Sequence, residues 1–264
     1  MPAPRGTFIW YDVMTTDTKA AAKFYGDLIG WSTQEHPMAD GGTYTVLSNG
    51  PRMVAGLMAI PEPVRAQGVP PCWSGYLATD DVDADAKRVA AAGGAIQRPP
   101  TDIPNVGRFA VVADPGGAVF LLFKPNTTEE PQPVAPMTPG HVAWHELYAG
   151  DLDREFSFYS RLFGWTKDRA HDMGPMGTYQ TFRTNKPLYT GGMMNRKGPG
   201  MPEDIPPHWQ FYFTVDDIEA AQKRVIEAGG EITLPPMDVP GGSRILQATD
   251  DQNGHFALMQ GPKS

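Results

Sequence analysis

The sequence is poor in cysteine: Cys72 is the only one among 264 residues. That excludes an internal disulfide and any metal site built on several thiolates. It also lacks an apolar run approaching the ~20 residues of a membrane-spanning helix, so no membrane partner is expected. The leading segment MPAPRGTF has no apolar signal core, and a cytoplasmic location is expected. Positive charge is in deficit, with 22 Lys and Arg against 30 Asp and Glu, a net charge of −8. A chain of that sign repels a phosphate backbone and its basic residues are scattered, which argues against a nucleic-acid partner. Also missing are the phosphate-cradling GxGxxG and GxxxxGK[ST] loops, the GxSxG nucleophile elbow and the HExxH metal motif. What the chain has in plenty is glycine and proline, 29 and 27 residues. Such a supply implies many tight turns, and hence short strands more than long helices.

The chain is an internal repeat. FIWYDVMTTDTKAAAKFYGDLIGW, from Phe8 to Trp31, recurs as VAWHELYAGDLDREFSFYSRLFGW from Val142 to Trp165. YLATDDVDADAKRVAAAGGAI from Tyr76 is matched by YFTVDDIEAAQKRVIEAGGEI from Tyr212, and the segment ending at Arg108 by the one ending at Arg244. The order is the same in both halves, and a fixed order at a fixed period points to a repeat architecture. The proline-rich stretch around 126–140 reads as a linker between a module at 1–125 and another at 141–264.

Each half alternates strand, helix and strands twice. Residues 7–14 are β-rich, Thr16 or Asp17 caps a helix that closes near Gly30, and Phe24 and Leu28 give it an apolar face. Strands are expected around Tyr44–Leu47, Val54–Ile60 and Trp73–Thr79. A second helix starts at Asp80-Asp81, ends at Gly93-Gly94, and is followed by strands near Arg108–Ala113 and Ala118–Phe123. The pairs Asp80-Asp81 and Asp216-Asp217 are therefore read as helix caps, and Trp31 and Trp165 as structural. The class is α+β, with each helix covering a curved sheet.

In order and spacing, the strand, D…FY…LGW, VDD…AGG and GR…DPxG segments resemble the vicinal oxygen chelate superfamily of glyoxalases, bleomycin-resistance proteins and extradiol dioxygenases. The resemblance implies two glyoxalase-like modules, each of two βαβββ units forming a curved half-open barrel. In metal-dependent members the cleft holds a divalent ion on His, Glu or Gln. The resemblance puts the four ligand positions at Trp10 and Trp144, near Gly56 and Gly192, near Ser74 and Gln210, and at Leu121 and Leu258. Trp, Gly and Leu offer no lone pair to such an ion, and a single amide cannot hold one. No cofactor is expected, and no metal at the usual position.

Other chemistry is weighed residue by residue. Trp10 and Asp12 share a strand face, as do Trp144 and Glu146. This gives each cleft an indole for stacking a planar ligand and a carboxylate whose desolvation suits it to base or recognition work. Arg108 and Arg244 are repeated too, and either neutralise these carboxylates in buried ion pairs or line the cleft. Tyr44 with Tyr179 and Met58 with Met194 complete the repeated cleft candidates. His208 is a candidate at a cleft mouth. His145 faces away from Glu146, so the two cannot chelate together. Cys72 is read as having no counterpart in the other half.

Three functions stay open. The first is a metal-free cleft binding a small apolar or aromatic organic molecule, in bleomycin-resistance-like sequestration or detoxification. The second is a glyoxalase-like lyase or isomerase, or a dioxygenase or hydroxylase, using a divalent metal recruited through residues such as His145, Glu146 or His208. The third is a scaffold for partner contacts. The chain is expected as monomer or homodimer.

Overall fold

A computed structural model describes residues 3–38, 41–127, 134–184, 190–196 and 205–262. It contains four βαβββ repeats. The first runs β1 (Phe8–Thr15), α1 (Thr18–Ile29), β2 (Ser32–Pro37), β3 (Thr43–Asn49) and β4 (Arg52–Ala59). A one-turn helix, α2 (Glu62–Arg65), leads to β5 (Cys72–Ala78), α3 (Val82–Ala91), β6 (Ala95–Ile103), β7 (Gly107–Ala113) and β8 (Val119–Pro125). The third repeat is β9 (Val142–Ala149), α4 (Leu152–Phe163), β10 (Thr166–Asp172), β11 (Thr178–Arg183) and β12 (Thr190–Asn195). The fourth is β13 (His208–Thr214), α5 (Ile218–Glu227), β14 (Glu231–Asp238), β15 (Arg244–Thr249) and β16 (His255–Gln260). The α+β class and the tandem repeat hold.

Local sequence explains the helix ends. Asp17, Asp81, Asp151 and Asp217 each accept a hydrogen bond from a first-turn backbone N–H at 2.9–3.0 Å. Such a cap satisfies one of the donors that a helix start leaves unpaired. Asp81 and Asp217 are thus caps, as the sequence suggests. Gly30 and Gly164 close α1 and α4 in the left-handed region, at φ 88° and 73°, where a side chain would be strained.

Packing divides the chain differently from the repeat. One compact unit gathers Trp10–Trp73, Val134–Ala143 and Gln210–Ser264, so it joins the first and fourth repeats; we call it the terminal unit. The other gathers Met1–Ile9, Ser74–Pro133 and Trp144–Trp209, joining the second and third; we call it the central unit. The expected modules at 1–125 and 141–264 are therefore units of sequence rather than of packing. The cause lies in the leading strand of every repeat, whose first two residues belong to one unit and the remainder to the other. In the central unit, Gly6 N–H donates to the Ala78 carbonyl and Ala78 N–H to that of Thr7. In the terminal unit, Gly140 and Thr214 N–H donate to Thr214 and His141 carbonyls in the same way. Part of the expected linker, residues 128–133, lies outside the described residues.

Each unit contains two strand sets. In the terminal unit β1 pairs parallel with β4, followed by β3 and β2 antiparallel, while β13 pairs parallel with β16, followed by β15 and β14. The central unit repeats this with β9, β12, β11 and β10, and with β5, β8, β7 and β6. Helices cover one face of these sheets, and the apolar core lies beneath them. There Trp73 donates to Tyr25 at 2.9 Å, and Tyr25 donates to Asp250 at 2.8 Å. Trp209, Tyr159 and Asp114 repeat the chain at 3.0 and 3.1 Å. Buried phenols and indoles seek such partners, since an unpaired polar atom in a core is destabilising.

Burial pushes the Asp114 carboxyl up to about 6, aided by the nearby Glu155 carboxylate, and burial raises Asp250 as well. A folded pKa above the unfolded one means the folded state holds the proton more tightly. Asp114's contribution is fully present below about pH 4 and is lost as pH rises through about 6. Denaturant titrations should show the wild type losing on the order of 1–3 kcal/mol relative to Asp114→Asn between pH 4 and 7. An unchanged difference, or one of opposite sign, would refute the assignment.

Candidate functional site

Strand alternation builds the site. In the terminal unit Tyr11 turns to the helix-covered side, where its ring meets Phe211 of β13 at 5.2 Å. Trp10 and Asp12, one residue to either side, therefore lie on the open face. Asp12 is paired in register with Gly56, and Tyr44 with Met58. The Trp10 indole N–H donates to Asp12 Oδ1 at 2.9 Å and to the Tyr44 hydroxyl at 2.7 Å, and that hydroxyl donates to Asp12 Oδ1 at 2.6 Å. Asp12 is only 5% exposed. Burial first, then the charge of Asp12, drives the Tyr44 phenol far above its ordinary pKa, so it stays protonated as a donor.

The central unit repeats the cluster. Trp144 N–H donates to the Tyr179 hydroxyl at 2.8 Å, and that hydroxyl is hydrogen-bonded to buried Glu146. Burial and the Glu146 charge again raise the phenol. Glu146 pairs in register with Gly192, as Asp12 does with Gly56. The two glycines are what admits the tyrosines. A Cβ on Gly56 would collide with the Tyr44 hydroxyl and Asp12 Oδ1, and one on Gly192 with the Tyr179 hydroxyl.

Six of the sequence candidates thus come together in two clusters: Trp10, Asp12 and Tyr44, and Trp144, Glu146 and Tyr179. Met58 is paired across from Tyr44, and Met194 is paired with Tyr148. His208 stacks on Tyr148 with ring centroids 5.0 Å apart, and Tyr148 follows Glu146 on its strand face, which brings His208 to the central cluster. His145 turns the other way and stacks on Phe8 at 4.4 Å. Cys72 does have a counterpart: the alignment of Trp73 with Trp209 sets it opposite His208.

The expected arginine–carboxylate ion pairs are corrected. Arg108 bonds Asp83 and Asp102 at 2.7 and 2.8 Å, joining α3 to β6 and β7. Arg244 bonds Glu219 of α5 and Asp238 of β14. Both are fastened on the helix side, each to an acid in the first turn of the covering helix and another on the adjacent strand. One ligand position also shifts. Tyr76 is paired with Leu121 and its equivalent Tyr212 with Ala257, so Ala257 rather than Leu258 is the counterpart of Leu121. The four positions are then Trp10, Gly56, Gln210 and Ala257 in the terminal unit, and Trp144, Gly192, Ser74 and Leu121 in the central one. These residues do not fit a divalent cation. One amide stands in the first set and one hydroxyl in the second, and the tyrosine that fills each glycine's space is held protonated. Among the described residues, no group of three or more His, Cys, Asp or Glu is placed to hold a metal.

Sequence reading missed Tyr148, Gln247 and the significance of Gln210. The first two carry no motif, and the third stands out only once its surroundings are known. Two cavities lie away from both clusters. One, of about 420 Å³, is bounded by residues such as Asp80 and Lys124, and the other, of about 130 Å³, by Leu28 and Arg224. Among the described residues, no helix is long and apolar enough to cross a membrane.

Four βαβββ repeats, paired two by two into compact units, define a class. The model of the Glyoxalase/Bleomycin resistance protein/Dioxygenase superfamily matches residues 7–122 and 138–257, and the chain belongs to that superfamily. It is 33% identical over 259 residues, 97% of this chain and 95% of the other, to CFP32 of Mycobacterium tuberculosis, which carries a provisional glyoxylase name. It is 31% identical over 265 residues, 97% and 93% of the two chains, to the anthracycline biosynthesis protein DauV of Streptomyces sp. strain C5. Among solved structures it is similar to the Mn(II)-bound glyoxalase of Novosphingobium aromaticivorans, with TM-score 0.66, 14% identity and coverage of 98% and 83%.

Gly56→Ala should destabilise the protein by about 1–3 kcal/mol, since the new methyl must displace Tyr44. In a Tyr44→Ala background the same substitution should have a much smaller effect. Additive losses in that double-mutant cycle would show that the two residues do not share the space.

Proposed function

We propose that this protein binds small, planar aromatic organic molecules in its clefts, without the divalent metal of its metal-dependent relatives. One observation carries the reading: in both units a Trp–Tyr–carboxylate cluster takes the place that two metal ligands would need. An indole whose N–H is already engaged offers its ring to a flat ligand, and stacking of that kind contributes about 0.5–1.5 kcal/mol beyond area burial. Methionines beside it, Met58 and Met194, adapt to varied apolar shapes. The anthracycline biosynthesis name of a relative 31% identical supports an aromatic ligand class. Sequestration or detoxification of such a compound, in the manner of a bleomycin-resistance protein, is the role this site chemistry supports. Asp12 and Glu146 serve as hydrogen-bond anchors for the cluster, and the protonated tyrosines as donors.

Two measurements test the proposal together. Elemental analysis after dialysis should find no stoichiometric Ni, Zn, Fe or Mn, and a retained metal would overturn the metal-free reading. Intrinsic tryptophan fluorescence should be quenched saturably by bicyclic and tricyclic aromatic compounds, with affinity falling roughly tenfold in Trp10→Leu or Trp144→Leu. If no compound quenches, or both variants behave as wild type, the clefts are not aromatic sites.

A further inference from the structure

The two clefts share their cluster but differ in the wall opposite it. On β13 of the terminal unit, Phe211 and Phe213 turn to the helix-covered side, where Phe213 meets Trp31 at 5.2 Å and Trp73 at 4.7 Å. Gln210 and Tyr212 therefore face the open side that also carries Trp10 and Asp12. Gln210 is 5% exposed, and neither atom of its side-chain amide is among the described buried polar atoms left without a partner, so what the residue exposes includes an amide with hydrogen-bonding capacity toward the open face. A primary amide at such a face can exchange solvent partners for those of a ligand. Two residues further along the strand, the Tyr212 hydroxyl accepts from Gln247 Nε2 at 2.9 Å. That bond passes over Ala257, which is paired in register with both residues.

The central unit keeps the tyrosine, as Tyr76, and answers the other wall residues with less polar or bulkier ones. Ser74 replaces Gln210, Val111 replaces Gln247, Leu121 replaces Ala257 and Phe123 replaces Met259, by the register of β5, β7 and β8. The Tyr76 and Phe123 rings meet edge to face at 5.8 Å. Relative to this wall, the terminal wall gains two amides and, at Ala257, loses most of a leucine side chain. The duplicated scaffold thus sets the same polar cluster against a less polar wall in the central unit and a wall with two amides in the terminal one.

We infer that the terminal cleft is selective for planar aromatic molecules carrying a hydrogen-bond donor and acceptor on neighbouring ring atoms, and that Gln210 is the residue that reads them. This rests on the aromatic-binding reading and adds the substrate class and a specificity determinant. A primary amide presents a carbonyl and an N–H side by side, and a ring lactam complements both at once. Tryptophan at position 10 supplies the stacking wall.

Quinolin-2-one and its N-methyl derivative, which lacks the donor, are suitable probes by isothermal titration calorimetry on the full chain. Wild type should bind quinolin-2-one roughly tenfold more tightly than the N-methyl compound, the effect of one well-made hydrogen bond to a buried partner. Gln210→Met should abolish that preference, whereas Ser74→Ala should leave it intact. Gln210→Glu, which keeps the acceptor but not the donor, should also lose quinolin-2-one affinity, and it carries the test if the Met variant does not melt cooperatively. Equal affinities in wild type, a preference that survives both Gln210 variants, or one lost in Ser74→Ala would overturn the inference. If other aromatics still quench fluorescence in those cases, aromatic binding stands and only Gln210's role falls. Failure of every aromatic overturns both readings.

Discussion

The period-two alternation of the leading strands is the constraint on which the rest of this protein depends. On β1, Tyr11 and Val13 are buried against the helix-covered side, and this leaves Trp10 and Asp12 for the opposite face. On β13 the same alternation gives Phe211 and Phe213 to the core and Gln210 to the cleft. A slip of one residue would bury a carboxylate under the helices and expose two aromatic rings. The aromatic core prevents that slip. The contacts of Tyr11 with Phe211 and of Phe213 with Trp31 and Trp73 set the register, so the cleft residues inherit their positions from packing on the other face.

Within that frame the clusters follow from an absence of side chain. The superfamily fold brings four strand positions together around a point, and metal-dependent members fill them with ligating groups. Here one of the four is glycine in both units, and the freed volume admits a tyrosine from the neighbouring strand. The tyrosine hydroxyl accepts from the indole N–H and donates to the carboxylate, which satisfies three buried polar groups with few atoms. Such a closed network is self-sufficient, because each charge or dipole has a partner in a weakly polar surrounding. The same substitution explains why the phenols stay protonated: ionising them would place a second negative charge beside Asp12 or Glu146.

Much of this was legible in the sequence, though unevenly. The repeat exposed the four units, the aspartate caps marked the helix starts, and the Trp, Tyr and carboxylate residues stood out because each occurs twice at one spacing. The strands β2 and β6 were harder. Every residue of Ser32–Pro37 is exposed, and Ala95–Ile103 contains Pro99-Pro100, so neither shows the apolar alternation that marks a half-buried strand. Arg108 and Arg244 misled because duplication shows that a position matters without showing to which face it belongs. Their partners on α3 and α5 are set by packing. The exchange of repeats between compact units was hidden as well, since it rests on two backbone residues at the head of each leading strand, and backbone pairing leaves no side-chain signature.

What the duplication preserves and what it lets drift now separate. The cluster residues, the caps and the Trp–Tyr–Asp chains under the helices are kept in both units, and all of them are coupled to neighbours that would be left unpaired by a change. Gln210, Gln247 and Ala257 differ from Ser74, Val111 and Leu121, and these positions line a wall. The constraint on a wall is softer, for a larger or more polar residue there alters the space offered to a ligand before it alters the fold. Two faces built on one cluster can therefore differ in the wall set beside it. The lone cysteine belongs to the same drift. Cys72 stands where the other half has His208, the residue stacked on Tyr148, so this position differs between the halves as the wall does.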